Sequence, residues 1–354
     1  MPDLQARSVL LLSSLARPDS MENNMAAKAN IVRLGHIEFR VTDLERARDF
    51  YVDLLGLHET ERDPDRIYLR TIENREHHCI ALRKASSAGV GSLAFKVATP
   101  DDLDMLERRF GALDLPMKWL QRGERLGLGP TLRVRDPLGF PIEFYAEMAP
   151  VEWLLQKPHL HRGAAPTRLD HVNILTPDAQ KGYDWYTGEL GFKCAEYTEG
   201  EPPERRIWAS WLYRKSTVHD IAVMTGPGPA AHHAGLSVGE PMNVIRACDM
   251  LASAGYADSI ERGPARHGIS NAFFVYVRDP DGNRVELYTG DYLTSDPEMK
   301  PIRWQLNDKR RQTLWGAPPP RRWFEEYMSV ESMDGTDLLP VSPPLLQAIP
   351  NYVD

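Results

Sequence analysis

The sequence has little cysteine, no long apolar run and no surplus of basic residues. None of its three cysteines, Cys79, Cys194 and Cys248, forms a CxxC pair. This excludes a disulfide framework and a cysteine-rich zinc site, and it favours a reducing cytoplasm. No stretch approaches the roughly 20 apolar residues that span a bilayer, so we expect no membrane partner. A net charge of −8 argues against nucleic acid as a partner.

The length of 354 residues exceeds what one ordinary core organises, so we expect two domains. The first 29 residues contain a short apolar patch, "SVLLLSSLA", as a weak signal peptide would. Asp3 argues against a signal peptide, and Met21 and Met25 offer later starts, so we expect a disordered or over-annotated extension instead. The Pro-rich segment "QKPHLHRGAAPT", residues 156–167, predicts an inter-domain linker.

An internal repeat organises the rest of the chain. The segment "GHIEFRVTDLERARDFYVDLLGL" aligns without a gap on "DHVNILTPDAQKGYDWYTGELGF", with His36 on His171 at an offset of 135 residues. Near-copies, "RDPLGFPIEFY" and "RDPDGNRVELY", end the two halves and place Glu143 opposite Glu286. Each half divides again into a strand, a helix and about three strands. We therefore predict an α+β fold of four βαβββ modules in two open-barrel domains, whose sheets surround a common hollow.

The four helices carry recognisable start signals. Thr42 and Glu45 have capping-box spacing, and Pro100, Pro177 and Pro241 stand where proline is accepted at a first helical position.

Three potential metal ligands occupy equivalent positions in the second half. His171 and His233 begin equivalent strands, and Glu286 lies in the final hairpin. Two imidazoles and one carboxylate form the facial triad of non-haem iron(II) sites, which leaves coordination positions open. In the tandem His232-His233 only one side chain can face the hollow, because strand residues alternate, and the repeat alignment selects His233.

The first half holds His36, Ser92 and Glu143 at the same positions. A serine hydroxyl is a poor ligand for a divalent metal, so we expect no metal there and interpret Glu143 as a relic of the duplication. The tandem His77-His78 matches no ligand position at an offset of 135, which predicts a surface or strand pair.

The predicted organisation therefore has four parts. They are a disordered extension at 1–29, a metal-free two-module domain at 30–150, a catalytic two-module domain at 168–290 and a tail at 291–354. The tail is rich in proline and tryptophan, which predicts packing, either over the site or at a subunit contact.

The segments "LDHVNILTPD", "WLYRKSTVHD", "GPAAHHAG", "IERGPARHGISNAFFVYVRDPDGNRVELYTGDY" and "NDKRRQTLWG" resemble the extradiol catechol dioxygenase branch of the vicinal oxygen chelate superfamily. Within it the similarity is greatest to homoprotocatechuate (3,4-dihydroxyphenylacetate) 2,3-dioxygenases and covers about residues 30–330. The resemblance implies insertion of O2 into a carboxylated catechol, 3,4-dihydroxyphenylacetate, giving a yellow 2-hydroxymuconic semialdehyde-type product in aromatic catabolism. It also implies Fe(II), with Mn(II) as the alternative because both use the same ligands, and a homotetramer.

The resemblance further assigns roles to individual residues. His219, Tyr276 and His267 would be catalytic, with His219 beside the oxygen site. Substrate would be bound by four residues: Asn173, Trp211, Arg262 and Arg311. Asn173 also follows His171 by two residues and so shares its strand face. The alignment near the second arginine needs a one-residue gap, which leaves Arg310 as the rival for that role.

Two other functions fit the same fold. A metal-dependent isomerase or lyase is disfavoured because such enzymes usually spread their ligands over two halves or two chains. A metal-free ligand-binding module is disfavoured by the complete triad together with His219.

Overall fold

The computed structural model of the chain describes residues 28–203 and 205–353. The predicted disordered extension lies, up to residue 27, outside the described residues. No helix in the described ranges is long and apolar enough to cross a membrane.

The first half forms one eight-stranded sheet from two βαβββ modules. The first module contains β1 (Ile31–Val41), α1 (Leu44–Arg48, continued by a π-helical turn at Asp49–Leu54), β2 (His58–Arg62), β3 (Arg66–Arg70) and β4 (Ile80–Lys84). The second contains β5 (Gly89–Val97), α2 (Pro100–Ala112), β6 (Met117–Leu120), β7 (Thr131–Arg135) and β8 (Pro141–Tyr145). The strand order in the sheet is β2-β3-β4-β1-β5-β8-β7-β6, with β1 and β5 antiparallel at the centre.

The second half repeats this arrangement strand for strand. The third module contains β9 (Arg168–Thr176), α3 (Ala179–Asp184, continued by a π-helical turn at Trp185–Glu189), β10 (Lys193–Glu199), β11 (Ile207–Tyr213) and β12 (Ile221–Thr225). The fourth contains β13 (Ala230–Ser237), α4 (Pro241–Ser253), β14 (Ile260–Arg266), β15 (Phe273–Arg278) and β16 (Arg284–Thr289). The strand order in the sheet is β14-β15-β16-β13-β9-β12-β11-β10, and β17 (Ile302–Gln305) extends the β10 edge.

One hydrophobic core is continuous across the two halves. Phe110 of α2 contacts Trp185 with ring centroids 6.0 Å apart, and Phe50 contacts Tyr256 at 5.8 Å. Aromatic side chains on or next to the helices of both halves therefore pack against each other, while the opposite faces of the sheets remain free to enclose the hollows.

The helix starts agree with the sequence signals at α2 and α4 and differ at α1 and α3. Thr99 caps α2 in a capping box with Asp102. At α1 the cap is Asp43, whose carboxylate accepts from the Arg46 amide, so the prediction of Thr42 was wrong by one residue. The Thr42 hydroxyl instead donates to Asp281 in the other half of the chain. At α3 the cap is Asp178, one residue after the predicted proline.

The tail crosses both halves. It contains β17, two short helices, α5 (Lys309–Gln312) and α6 (Arg322–Glu325), and a short strand, β18 (Met328–Ser329), that pairs with β13. Val330 then bridges Val90 of β5, and Glu331 forms ion pairs with Arg40 and Arg83. The tail therefore contacts strands of both halves.

Candidate metal centre and active site

Strand register brings the three predicted ligands together. Gly235 of β13 lies opposite His171 of β9 on one side and beside Glu286 of β16 on the other. His233 lies two residues earlier on β13, on the same face. All three ligand side chains are buried. In the described ranges, these three residues form a group whose potential ligand atoms all lie within 4.8 Å of one another, which is close enough to hold a metal ion.

The distances between the ligand atoms fit one face of an octahedron. His171 Nε2 lies 3.0 Å from Glu286 Oε2 and 3.3 Å from His233 Nε2, and His233 Nε2 lies 3.3 Å from the same carboxylate oxygen. Ligands about 2.1 Å from a metal and 90° apart are separated by about 3.0 Å. The donor set therefore suits a divalent metal that keeps three further positions for water or substrate.

His171 is held by the aspartate that precedes it. Its Nδ1 lies 3.3 Å from Asp170 Oδ2, which can only accept, so Nδ1 carries the proton and Nε2 is free to bind metal. Burial alone would lower the pKa of His171, but hydrogen bonds to Asp170 and Glu286 raise it to about 9. The imidazoles likewise hold the pKa of Glu286 well below its usual range against the effect of burial.

His233 is held by a chain of hydrogen bonds that ends on the tail. His232 Nε2 lies 2.8 Å from the Trp323 carbonyl, which can only accept, so this nitrogen is protonated. His232 Nδ1 must then accept from His233 Nδ1, 2.6 Å away, and His233 Nε2 is left with its lone pair facing the other ligands. Burial, the largest influence, lowers the pKa of His233 to about 4.

A glycine makes room for the first ligand. A Cβ atom added to Gly235 would lie 2.2 Å from His171 Cε1 and 2.3 Å from His171 Nε2. The imidazole therefore lies directly on the backbone of β13, and the position admits no side chain.

The ligands line a cavity that also contains several of the other predicted residues. Its lining comprises His171, Asn173, Trp211, His219, Met224, His233, His267, Ile269, Ser270, Ala272, Tyr276, Glu286, Tyr288, Gln312 and Trp323. The His219 ring lies over that of His171 with centroids 3.9 Å apart, and its Nδ1 has no hydrogen-bond partner among the described residues. Asn173 donates to Met224 Sδ and leaves its Oδ1 unpaired.

Tyr276 and His267 form a hydrogen-bonded pair beside Glu286. His267 Nδ1 donates to the Gln312 carbonyl at 2.5 Å, so its Nε2 accepts from the Tyr276 hydroxyl at 3.1 Å. Burial lowers the pKa of His267 to about 3. Burial and the neighbouring Glu286 raise the pKa of Tyr276 well above its ordinary value. Tyr276 is thus a phenol, held as a hydrogen-bond donor.

The predicted substrate arginines lie behind the lining. Arg262 donates to the Gln312 carbonyl at 2.8 Å, and its guanidinium lies 4.8 Å from the Trp323 ring. Arg311 is fully buried over the Trp208 ring, and its Nε and Nη1 have no partner among the described residues. Arg310 projects into solvent and pairs with Asp308, so the geometry favours Arg311 over its rival.

Sequence reasoning missed seven lining residues: Met224, Ile269, Ser270, Ala272, Tyr288, Gln312 and Trp323. Tyr288 follows Glu286 by two positions, so strand alternation could have found it. Gln312 adjoins the predicted Arg311. Met224 and Trp323 had no comparable signal in the sequence. Met224 does not align with a ligand position of the repeat, and Trp323 lies in the C-terminal tail, which the repeat does not include.

The first half retains more of this site than the sequence predicted. Ile37 pairs with Ile80, as Val172 pairs with Ile221, which makes His78 the counterpart of His219. His78 is buried, with its ring 4.9 Å from that of His36. The interpretation of His77-His78 as a surface or strand pair was therefore wrong. The offset of 135 fails there because the β10–β11 hairpin is longer than its copy.

In that half two arginines pair with the carboxylate that corresponds to Glu286. Glu143, fully buried, accepts from Arg125 at 2.6 Å and from Arg133 at 3.0 Å. Arg133 faces Glu143 across β7 and β8, as Tyr276 faces Glu286. Burial alone would raise the pKa of Glu143, but the two guanidinium groups lower it. The cationic partners of this carboxylate are thus side chains of the protein itself.

Comparison with known proteins identifies the family. A family model described as the Glyoxalase/Bleomycin resistance protein/Dioxygenase superfamily matches residues 33–144 and 168–287. The chain belongs to this superfamily. A manganese-dependent 2,3-dihydroxybiphenyl 1,2-dioxygenase of Geobacillus genomosp. 3 is 34% identical over 82% of the chain and 95% of the relative. A metapyrocatechase of Geobacillus stearothermophilus is 31% identical over 83% and 93%.

Solved structures of the same superfamily agree closely with this one. Homoprotocatechuate 2,3-dioxygenase of Brevibacterium fuscum, in an anaerobic complex with 3,4-dihydroxyphenylacetate, is 40% identical with a TM-score of 0.86 over 90% of this chain and 98% of that one. The enzyme of Arthrobacter globiformis is 41% identical with a TM-score of 0.86 over 89% and 97%. The predicted fold and enzyme class, an extradiol catechol dioxygenase dependent on Fe(II) or Mn(II), are confirmed.

Proposed function

We propose that the substrate is a catechol carrying a short carboxylated side chain, with 3,4-dihydroxyphenylacetate as the best candidate, and that His171, His233 and Glu286 hold the metal. The convergence of these three ligand atoms in a buried cavity carries the proposal. A bound Fe(II) or Mn(II) ion would supply a centre that the two catechol oxygens chelate and that has a position left for O2.

Two groups of the chain handle protons on different sides of the centre. His219, whose Nδ1 is unpaired and whose ring lies over His171, is placed to take a proton from a catechol hydroxyl or return one later. The Tyr276 hydroxyl, which donates to His267 Nε2 in this structure, is placed to turn its one O–H towards the other catechol oxygen when substrate is bound. Trp211, Tyr288 and Trp323 also line the cavity and would limit the access of water to a bound ring.

Arg262 supplies the positive charge for the carboxylate. Its guanidinium is held beneath Trp323 and Tyr276 by Gln312 and Thr313, and its Nε has no partner among the described residues. Burial is the main reason that the pKa of Arg262 falls to about 10, and the group still remains charged at neutral pH. A buried guanidinium is stabilised by an incoming carboxylate through paired hydrogen bonds. Arg311, buried near the same wall, is the second candidate for this contact.

Oxygen uptake with a small catechol panel tests the proposal. After anaerobic loading with Fe(II), and separately with Mn(II), the protein should consume O2 and form a yellow product with 3,4-dihydroxyphenylacetate. 4-Ethylcatechol has a similar side chain but lacks the carboxylate, so its kcat/KM should be at least about tenfold lower. Equal kcat/KM values for the two would reject the carboxylated substrate, and activity only with 2,3-dihydroxybiphenyl would reassign the pocket.

Substitution of the arginine tests how the carboxylate is recognised. Arg262→Gln should raise KM for 3,4-dihydroxyphenylacetate by about 10–100-fold, because a charge-assisted bidentate contact is lost, and leave KM for 4-ethylcatechol nearly unchanged. A parallel loss with both substrates would show that Arg262 supports the pocket wall without contacting substrate.

We further propose the wider arrangement that the family resemblance implies. The chain would have a metal-free domain at 30–150 and a catalytic domain at 168–290, with the tail from 291 covering the site, and it would assemble as a tetramer in the cytoplasm. The proposal that the tail covers the site is supported by two of its residues, Gln312 and Trp323, which line the cavity. The three free cysteines are compatible with a reducing compartment. Light scattering of the purified protein would test the tetramer.

A further inference from the structure

A buried histidine outside the metal-binding triad connects a metal ligand to the C-terminal tail. His232 is fully buried, and its ring packs edge-on against Trp323 with centroids 4.2 Å apart. It contacts His233 through Nδ1 and the Trp323 carbonyl through Nε2. Both of its nitrogens are therefore used, and neither faces the cavity.

The direction of these hydrogen bonds follows from the carbonyl. Trp323 O can only accept, so His232 Nε2 must donate, and a neutral imidazole then has an acceptor at Nδ1. That acceptor requires the proton of His233 to be on Nδ1 rather than on Nε2. His233 Nε2 is the atom that lies 3.3 Å from both other ligand atoms.

We propose that His232 is a positioning residue that fixes His233 in its metal-binding tautomer and thereby couples metal binding to docking of the tail. The inference rests on the proposed metal centre. It differs from the role of Asp170, which holds His171 from within the same strand, because the anchor of His232 is a backbone carbonyl 91 residues away. The two equilibria are linked. A metal ion that favours the His233 tautomer with its proton on Nδ1 must therefore stabilise the docked tail by the same coupling free energy.

Two substitutions separate hydrogen bonding from packing. In His232→Phe the ring still fills the space and contacts Trp323, but both hydrogen bonds are lost. In His232→Asn the side-chain Oδ1 takes the place of Nδ1 and accepts from His233, whereas the contact with the tail carbonyl is lost. His78→Phe is the matched control, since it replaces another buried histidine, in the half without the triad.

The readout is the dissociation constant for Mn(II), measured on metal-free protein by competition with a chelating dye. We expect His232→Phe to weaken binding by about 10–100-fold, as is typical when the outer partner of a ligand is removed. His232→Asn should stay within about threefold of the wild-type protein, and His78→Phe should bind as the wild-type protein does. Hydrogen exchange adds a second readout: Mn(II) should protect amides of residues 320–331 in the wild-type protein and not in His232→Phe.

The outcomes distinguish this inference from the metal centre itself. If His233→Ala abolishes binding while His232→Phe binds within threefold of the wild-type protein, the positioning role is wrong and the metal centre stands. Equal weakening by His232→Phe and His232→Asn would also overturn it, because the acceptor would then not matter. If His233→Ala binds Mn(II) as well as the wild-type protein, the metal centre and the inference both fail.

Discussion

Gly235→Ala should remove metal binding by adding a single methyl group. The new Cβ would lie 2.2 Å from His171 Cε1, whereas carbon atoms in contact need at least about 3.4 Å, so the ring must move by at least about 1 Å. Metal–ligand distances tolerate only about ±0.2 Å. The imidazole would therefore leave the coordination sphere, although every ligand residue remains in the chain.

Loss of a hydrogen-bond partner of a metal ligand typically lowers metal affinity by about 10–100-fold. We expect Gly235→Ala to lower the Mn(II) affinity by more than this, because the substitution displaces a ligand itself. Gly235 is not among the glycines with positive φ, so alanine suits its backbone and the metal-free protein should remain folded. Competition with a chelating dye measures the affinity, and thermal unfolding of the metal-free protein verifies the fold.

The first half of the chain provides the control. Ala94 lies opposite His36 as Gly235 lies opposite His171. Ala94→Gly should leave Mn(II) affinity unchanged and lower stability by about 0.5–1 kcal/mol, the usual effect of glycine within a strand. If Gly235→Ala retained Mn(II) within threefold of the wild-type protein, the inference that the ring position depends on this glycine would be refuted.

Three further predictions concern the duplicated halves and acid stability. His233→Ala should abolish metal retention whereas Ser92→Ala should not, as metal analysis after dialysis would show; equal losses would refute the assignment of the metal to the second half. Glu143→Gln should destabilise the fold by about 3–5 kcal/mol without changing metal affinity, because it leaves Arg125 and Arg133 buried without their anion. Glu147→Gln, at an exposed ion pair, is its control and should cost less than about 1 kcal/mol in urea unfolding. Although burial opposes it, ion pairing with Arg284 and Arg278 lowers the pKa of Glu261 to about 2, so its contribution to stability is present above about pH 4.5 and is lost as the pH falls towards 2. The stability difference between the wild-type protein and Glu261→Gln should therefore shrink over that interval, and a constant difference would contradict the assigned pKa.

The repeat in the sequence predicted the fold and the positions from which the site is built, because a duplication preserves which strands neighbour each other. His171, His233 and Glu286 could be found without knowing any distance, since equivalent strands must face equivalent hollows. The same reasoning failed for His78, because it assumed one constant offset. Sheet register rather than residue counting shows that His78 corresponds to His219.

Other features could not be predicted because no periodicity encodes them. The link from His233 through His232 to Trp323 depends on a tail that has no copy in the first half. The cap of α1 differs by one residue because the Thr42 hydroxyl is used by Asp281 in a contact between the halves. Both are long-range hydrogen bonds, which sequence patterns describe poorly.

The two halves compensate a buried carboxylate in two different ways. Glu286 and Glu143 occupy equivalent strands, and burying either charge alone would be costly. In the second half two imidazoles compensate the charge, together with the metal that we propose they hold. In the first half Arg125 and Arg133 do so, and Arg133 lies at the position of Tyr276. Because a guanidinium is always protonated and fixed in the chain, this replacement needs no ligand and leaves no open coordination position. The buried carboxylate of the first half is therefore compensated without any metal.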